Sequence, residues 1–261
     1  MAITTLDGYI GSSKQRLTWM KTGTRTLIAA MPYTVFDIAG SPGAGALAIG
    51  NTANGLVPTD ATAGYPVIGT FSGGNGYLSK VEFGSSVACC FDVYDRLFAA
   101  GAYAFNADVT LASQPSFSGR IPTNYCGLQL WVEQVTIGTG IQHVQINYLD
   151  QDGNAGDTGD VTLITTTPVG RCAQIPLAAG DSGIQQIVRV RGTTATVGTF
   201  NVMVLRPLWF GRVICANGGD IHDMLKTGLP RIYEDSALYT ILYADSTAVG
   251  LPDITMQIAM G

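Results

Sequence analysis

The residue pattern predicts an all-β chain: an antiparallel β-sandwich, jelly-roll-like, with long Gly/Ala/Pro-rich ordered loops. Three observations predict it. Several segments alternate apolar and polar residues with period two, as half-buried strands do. The 33 glycines and 11 prolines cut the 261 residues into short runs, each bounded by turn chemistry. Helix signals occur in one short stretch, so strands joined by long helical crossovers are excluded and antiparallel pairing is favoured.

Taken in order, the first 30 residues stand apart. Lys14, Arg16, Lys21 and Arg25 oppose a single acid, Asp7, within the first 25 positions; that segment carries +3 and the remainder −8, giving the net −5. Leu17 and Trp19 share one parity and Met20 the other. Two readings stay open: a strand of the sandwich, or an arm docking on a neighbouring subunit through Lys14, Arg16, Leu17, Trp19, Lys21 and Arg25. The second divides the chain into an arm (1–30) and one sandwich domain (31–261), with a loop-rich insertion around 37–76. That insertion, with its runs SPGAGALAIG, NTANG, VPTDATAG and FSGGNG, reads as ordered small-residue loops between very short strands.

Strand signals dominate from position 77. Residues 78–93 are densely apolar and β-branched, and YDRLF (94–98) fits a short strand or one helical turn. In 128–137, Leu128, Leu130 and Val132 oppose Gln129, Trp131 and Glu133. In 141–149, Gln142, Val144, Ile146 and Tyr148 oppose Ile141, His143, Gln145, Asn147 and Leu149. QDGNAGDTGD is a long turn, and 161–165 a returning strand. IQQIVRVR (184–191) places Ile184, Gln186, Val188 and Val190 on one face. Arg206-Pro207 ends or bends the strand over 200–205, or marks an edge. The helix is expected over 220–226, with Asp220 as cap and Gly228 as stop. Strands return at 237–243 and 254–259, for eight to ten in all.

Composition excludes several classes. With 46% hydrophobic and 13% charged residues the chain is not disordered. The net negative charge argues against broad nucleic-acid binding. No apolar run approaches the ~20 residues of a spanning helix, and the opening residues lack a signal peptide's apolar core. The five cysteines (89, 90, 126, 172 and 215) have no zinc spacing and read as reduced, mostly buried side chains. No HExxH, CxxC, GxSxG or phosphate-binding glycine fingerprint occurs. His143 reads as a surface or interface residue, and His222, between Asp220 and Asp223, as cap or surface. Asp150, Asp152, Asn154 and Asp157 offer oxygens for a weak metal site, but Ala155 and Val161 stand where a calcium hand needs glycine and glutamate. The simpler reading is an Asp-Gly hairpin turn. No cofactor and no catalytic residue are expected.

The ordered words PGAGALAIG, VPTDATAGYP, FSGGNGYLSKVEF, VYDRLFAAG, TFNVMVLRPL and LPRIYEDSALYTILY carry a resemblance. Over residues 31–261 the chain resembles a poorly characterised family of tailed-bacteriophage virion structural proteins. The shared words are Pro42–Gly45, Val57–Thr59, Tyr94–Leu97 and Leu229–Tyr233. The resemblance implies a non-enzymatic structural protein located in the virion, most simply a capsid decoration (cement) or minor capsid protein of the head. Its partners would be the major capsid protein or other virion proteins, with no nucleic acid or membrane; the low charge fraction, with apolar residues on both parities of the strands (Ile141 and Leu149 against Val144 and Ile146), separately predicts a homo-oligomer, expected to be a trimer. Tail, fibre, portal-associated and major coat roles are the alternatives. A carbohydrate-binding sandwich would instead display aromatics on one sheet face, with Trp131 and Tyr148 as candidates.

Overall fold

The computed structural model describes residues 3, 5–71, 74–163 and 168–261. The elements run α1 (Leu6–Gly11), β1 (Ser13–Lys21), β2 (Pro32–Thr34), β3 (Gly40–Ser41), β4 (Asn51–Leu56), β5 (Gly76–Ser85), β6 (Cys89–Ala104) and β7 (Asp108–Thr110). They continue β8 (Gln129–Thr139), β9 (His143–Asp150), β10 (Ala155–Asp157), β11 (Val161–Thr162), β12 (Cys172–Ile175), β13 (Ile184–Gly192) and β14 (Val197–Val213). The chain closes with β15 (Gly218–His222), α2 (Met224–Thr227), β16 (Arg231–Ile232), β17 (Leu238–Ala244) and β18 (Pro252–Met260). The described strands outnumber the expected eight to ten because many hold only two or three residues. The returning strand expected over 161–165 is seen as β11; residues 164 and 165 lie outside the described part.

The antiparallel sandwich is present, built from three sheets. A central seven-stranded sheet has the order β12-β8-β14-β6-β17-β2, with β4 also on β6. A first flanking sheet runs β15-β5-β18-β1-β3 with β16 on β5, and a second runs β10-β9-β13-β7 with β11 on β9. The long strands β6 and β14 explain how one central sheet serves both flanking sheets. On β6, Phe91 and Val93 enter the core shared with the first flanking sheet, whereas Leu97 enters the core shared with the second. On β14, Val202 and Val204 belong to the second core and Leu208 to the first.

Between those residues, at matching positions, stand Asp95 and Arg206, partners in the β6–β14 register. Asp95 is fully buried. Its carboxylate accepts from Arg120 Nη1 (3.0 Å), Arg206 Nη2 (3.1 Å), Ser236 Oγ (2.8 Å) and the Ala237 amide (3.1 Å). A buried charge is tolerated only with such a full set of donors. The two cores are therefore separated by a polar partition. The opposite face of the central sheet carries a third cluster, including Tyr94, Trp131, Met203 and Tyr239. There Glu133 accepts from Arg96 (3.2 Å), Asn201 (2.7 Å) and Tyr239 (2.5 Å).

In its described residues the loop-rich insertion, together with Phe36 just before it, roofs this third cluster through Phe36, Leu47 and Tyr65. Gly45 and Gly64 flank the Phe36 ring so closely that a Cβ on either would strike it, and Gly64 also has φ +100. Only glycine fits where the chain crosses that ring.

Two open local alternatives are settled and two expectations are corrected. YDRLF is strand, within β6. Strand β14 continues through Pro207 to Val213, with a register shift beside Pro207, so proline bends it without ending it. In β13 the buried residues are Ile184, Ile187 and Val190, a period of three; register shifts after Ile184 and Ile187 each insert a residue that turns the chain over. The helix starts later than expected. Asp220 lies in β15, and Asp223 caps α2 by accepting from the Leu225 and Lys226 amides, while Gly228 closes it at φ 70.

Candidate interaction surface

The arm expected over 1–30 is not separate from the body. Strand β1 pairs with β18 from Ser13 to Met20, placing it inside the first flanking sheet. The period-two alternation turns Leu17 and Trp19 inward, 5% and 3% exposed, so both are core residues and not shell contacts. Lys21 is also buried; Nζ donates to the carbonyls of Pro42 (3.0 Å) and Gly43 (3.2 Å). Burial lowers its pKa to about 8, although Asp37 pulls it upward. Arg25 is used internally as well, bonded to Asp37 and to the Val169 carbonyl (2.6 Å). Lys14 Nζ folds back on the carbonyls of Tyr9 (2.9 Å) and Ser12 (3.0 Å). Of the six predicted contact residues, Lys14 and Arg16 keep exposed side chains, and Arg16 makes one 3.5 Å contact to Thr255 Oγ1.

The acidic loop is the β9–β10 hairpin, and its carboxylates are occupied locally. Asp150 Oδ1 accepts from the amides of Asp152 and Asn154, both at 2.8 Å. Burial raises its pKa, but bonds from Asn154, Asp152 and Gly153 outweigh that and hold it low. Asp157 accepts from Gln145 Nε2 (2.9 Å) and the Gly159 amide (2.8 Å), and Asp152 from Gln151 (2.9 Å). These are turn-closing bonds. Asp150, Asp152, Asn154 and Asp157 thus serve the hairpin turn, the simpler of the two readings; among the described residues no group of three or more His, Cys, Asp or Glu side chains is placed to hold a metal ion.

Both histidines serve as framework. His143 Nδ1 lies 2.7 Å from Asp160. The Trp209 indole N–H donates to His222 Nδ1 (3.0 Å), and Nε2 faces Asp220 at 3.4 Å. Phe83 meets both rings edge-on, at 4.8 and 5.1 Å. All five cysteines are free; Cys126 and Cys215 are exposed, contrary to the mostly buried set expected. Trp131 and Tyr148 are 2% and 0% exposed, so neither is a sugar-stacking platform. No helix among the described residues is long and apolar enough to cross a membrane.

The surface that the sequence reading missed follows the passage of the chain from the central sheet to the first flanking sheet. Phe210 and Ile214 are 78% exposed, Ile221 54% and Leu225 83%. The Trp209–His222–Phe83 cluster and the Asp223 cap hold this stretch in place, so its apolar side chains are presented without further ordering cost. Within a strand, alternation implied that Phe210 points away from the core; nothing local revealed that no second layer covers it.

No family model and no curated protein matches this chain. Solved structures similar to it include infectious bursal disease virus Gt strain (7% identity, 95% of this chain and 81% of that chain, TM-score 0.19). Infectious bursal disease virus Gx strain (8% identity, 95% and 80%, TM-score 0.17) is another. T=1 particles derived from infectious bursal virus (6% identity, 95% and 78%, TM-score 0.19) are a third. At these scores no property of those particles is carried to this chain.

Proposed function

We propose that this chain is a non-enzymatic structural subunit of a tailed-phage particle, acting on the head as a decoration or minor capsid protein. The observation that carries the reading is where the family-like words fall. Tyr94–Leu97 and Leu229–Tyr233 converge on the Asp95 partition: Arg206 joins Asp95 to the Arg231 carbonyl (2.9 Å). The PGAG and ATAG words clasp Phe36. The resemblance therefore lies in framework residues and not in reactive ones. A particle subunit also needs surface to bury against neighbours, and Phe210, Ile214 and Leu225 supply exposed apolar side chains of the kind interfaces use.

The test is to purify particles assembled with a tagged copy and read occupancy by quantitative mass spectrometry and lattice position by electron cryo-microscopy. The expected result is stoichiometric copies on the head. A Phe210→Ser/Leu225→Ser variant should keep its melting temperature and lose occupancy. Particles that form with normal content and contain no copy of the chain would refute the proposal.

A further inference from the structure

Strand β1 is paired along only one edge for most of its length. β18 covers Ser13 to Met20, but on the other side β3 meets only Met20 and Lys21. Among the described residues no backbone hydrogen bond leaves the Ser13–Trp19 edge on that side. An open strand edge is a template for another extended chain.

The middle of this edge, at Arg16 to Thr18, faces an open groove. A cavity of about 500 Å³ separates Arg16, Leu17 and Thr18 from the loops at 41–44 and 60–67. The far wall is fixed, because Asp60 accepts from the Ile68 amide (2.8 Å). One side chain crosses the gap: Gln15 accepts from the Gly69 amide (3.1 Å) and contacts the Val67 carbonyl at 3.5 Å.

The same chain holds a segment suited to that slot. α1 has no buried residue, and Leu6 and Ile10 are 59% and 65% exposed. Six residues are too few for an isolated helix to be stable, and this one is held to its own copy by the Thr5 cap, the Tyr9–Gln257 contact (3.2 Å) and Lys14 on the Tyr9 and Ile10 carbonyls, few bonds for a strand ladder to replace. In an antiparallel register with Asp7 opposite Arg16, Tyr9 falls opposite Lys14 and Leu6 opposite Leu17. Gly8 then falls opposite Gln15, leaving room for the side chain that crosses the groove. Asp7, the only acid in the first 25 residues, meets Arg16, one of the two exposed cations of the edge.

We infer that residues 5–11 of one copy add as a strand to the open edge of β1 in a second copy. The inference rests on the reading of the chain as a self-associating subunit, and it assigns that association to a named contact. Passing one segment to the next copy makes a head-to-tail contact that closes into a ring when the rotation allows.

Sedimentation equilibrium and hydrogen exchange on the full chain test it, with melting temperature as the control for folding. The wild type should associate, with amide protection in 13–19 rising with protein concentration. Arg16→Glu and Asp7→Arg should each weaken association about tenfold, and the double charge swap should restore most of it. Leu6→Ser/Ile10→Ser should abolish the concentration-dependent protection. A chain that stays monomeric at all concentrations overturns the inference. So does association unaffected by these substitutions, which would leave particle membership, read separately from purified particles, standing.

Discussion

Replacing Asp95 by asparagine tests the partition between the two cores. The carboxylate is fully buried and faces two guanidiniums, those of Arg120 and Arg206, whose side chains are 2% and 8% exposed. Asparagine keeps one oxygen acceptor but removes the charge and turns an N–H₂ toward donors. Two cations then remain in a desolvated site without their counter-charge. Breaking a buried pair in this way costs ~3–5 kcal/mol, more than the ~1 kcal/mol of an ordinary hydrogen bond. Unfolding entropy of ~2.1 cal/mol/K per residue means each kcal/mol lowers the melting temperature of a chain this long by ~2 °C, so the expected drop is ~5–9 °C. Urea unfolding gives the free energy and calorimetry the temperature. Arg206→Met completes a double-mutant cycle, and the pair should cost less than the sum of the singles because the second substitution removes one stranded charge. A loss below ~1 kcal/mol for Asp95→Asn, additive with Arg206→Met, would refute the reasoning.

Trp19→Ala should cost ~3–5 kcal/mol, as truncation of a buried aromatic does, and deleting residues 1–25 should abolish folding; a folded truncation that merely fails to join particles would revive the tether. Lys21 has a folded pKa of about 8 against the ordinary lysine value of 10.5, so between these values the unfolded chain binds the extra proton and stability gains from Lys21 as pH rises. The urea midpoint of wild type relative to Lys21→Met should therefore climb from pH 8 to 10; a flat difference would show that the amine stays charged when folded. Calcium or chelator should leave the melting temperature unchanged, whereas Asp150→Ala should lower it equally in both, since its oxygens close a turn; a calcium-dependent shift in the wild type would restore the metal reading.

Much of the fold was legible because it is local. Period two placed Val144, Ile146 and Tyr148 on the buried face of β9 and set Leu130 and Val132 against Trp131 on β8, as found. The alternation failed in β13, where two inserted residues shift the register; a bulge depends on the partner strand and leaves no mark in composition. The six-residue α1 was missed because so short a helix carries almost no periodic signal.

The candidate site was legible in charge but not in place. Counting charges identified Lys14, Arg16, Lys21 and Arg25, yet charge does not say whether a cation faces solvent. Lys21 and Arg25 are taken up by the Pro42 and Val169 carbonyls and by Asp37, partners 12 to 144 residues away in sequence that only the folded chain brings near.

Alternation and turn chemistry act over a few residues, so the class of fold and the positions of its main strands along the chain could be read without the structure. Tertiary structure decided which faces are covered. It split the sandwich into two cores around Asp95, drew Trp19 inside and left Phe210 outside. It also opened one edge of β1, because sheet order and layer stacking are settled by contacts between segments far apart in the chain.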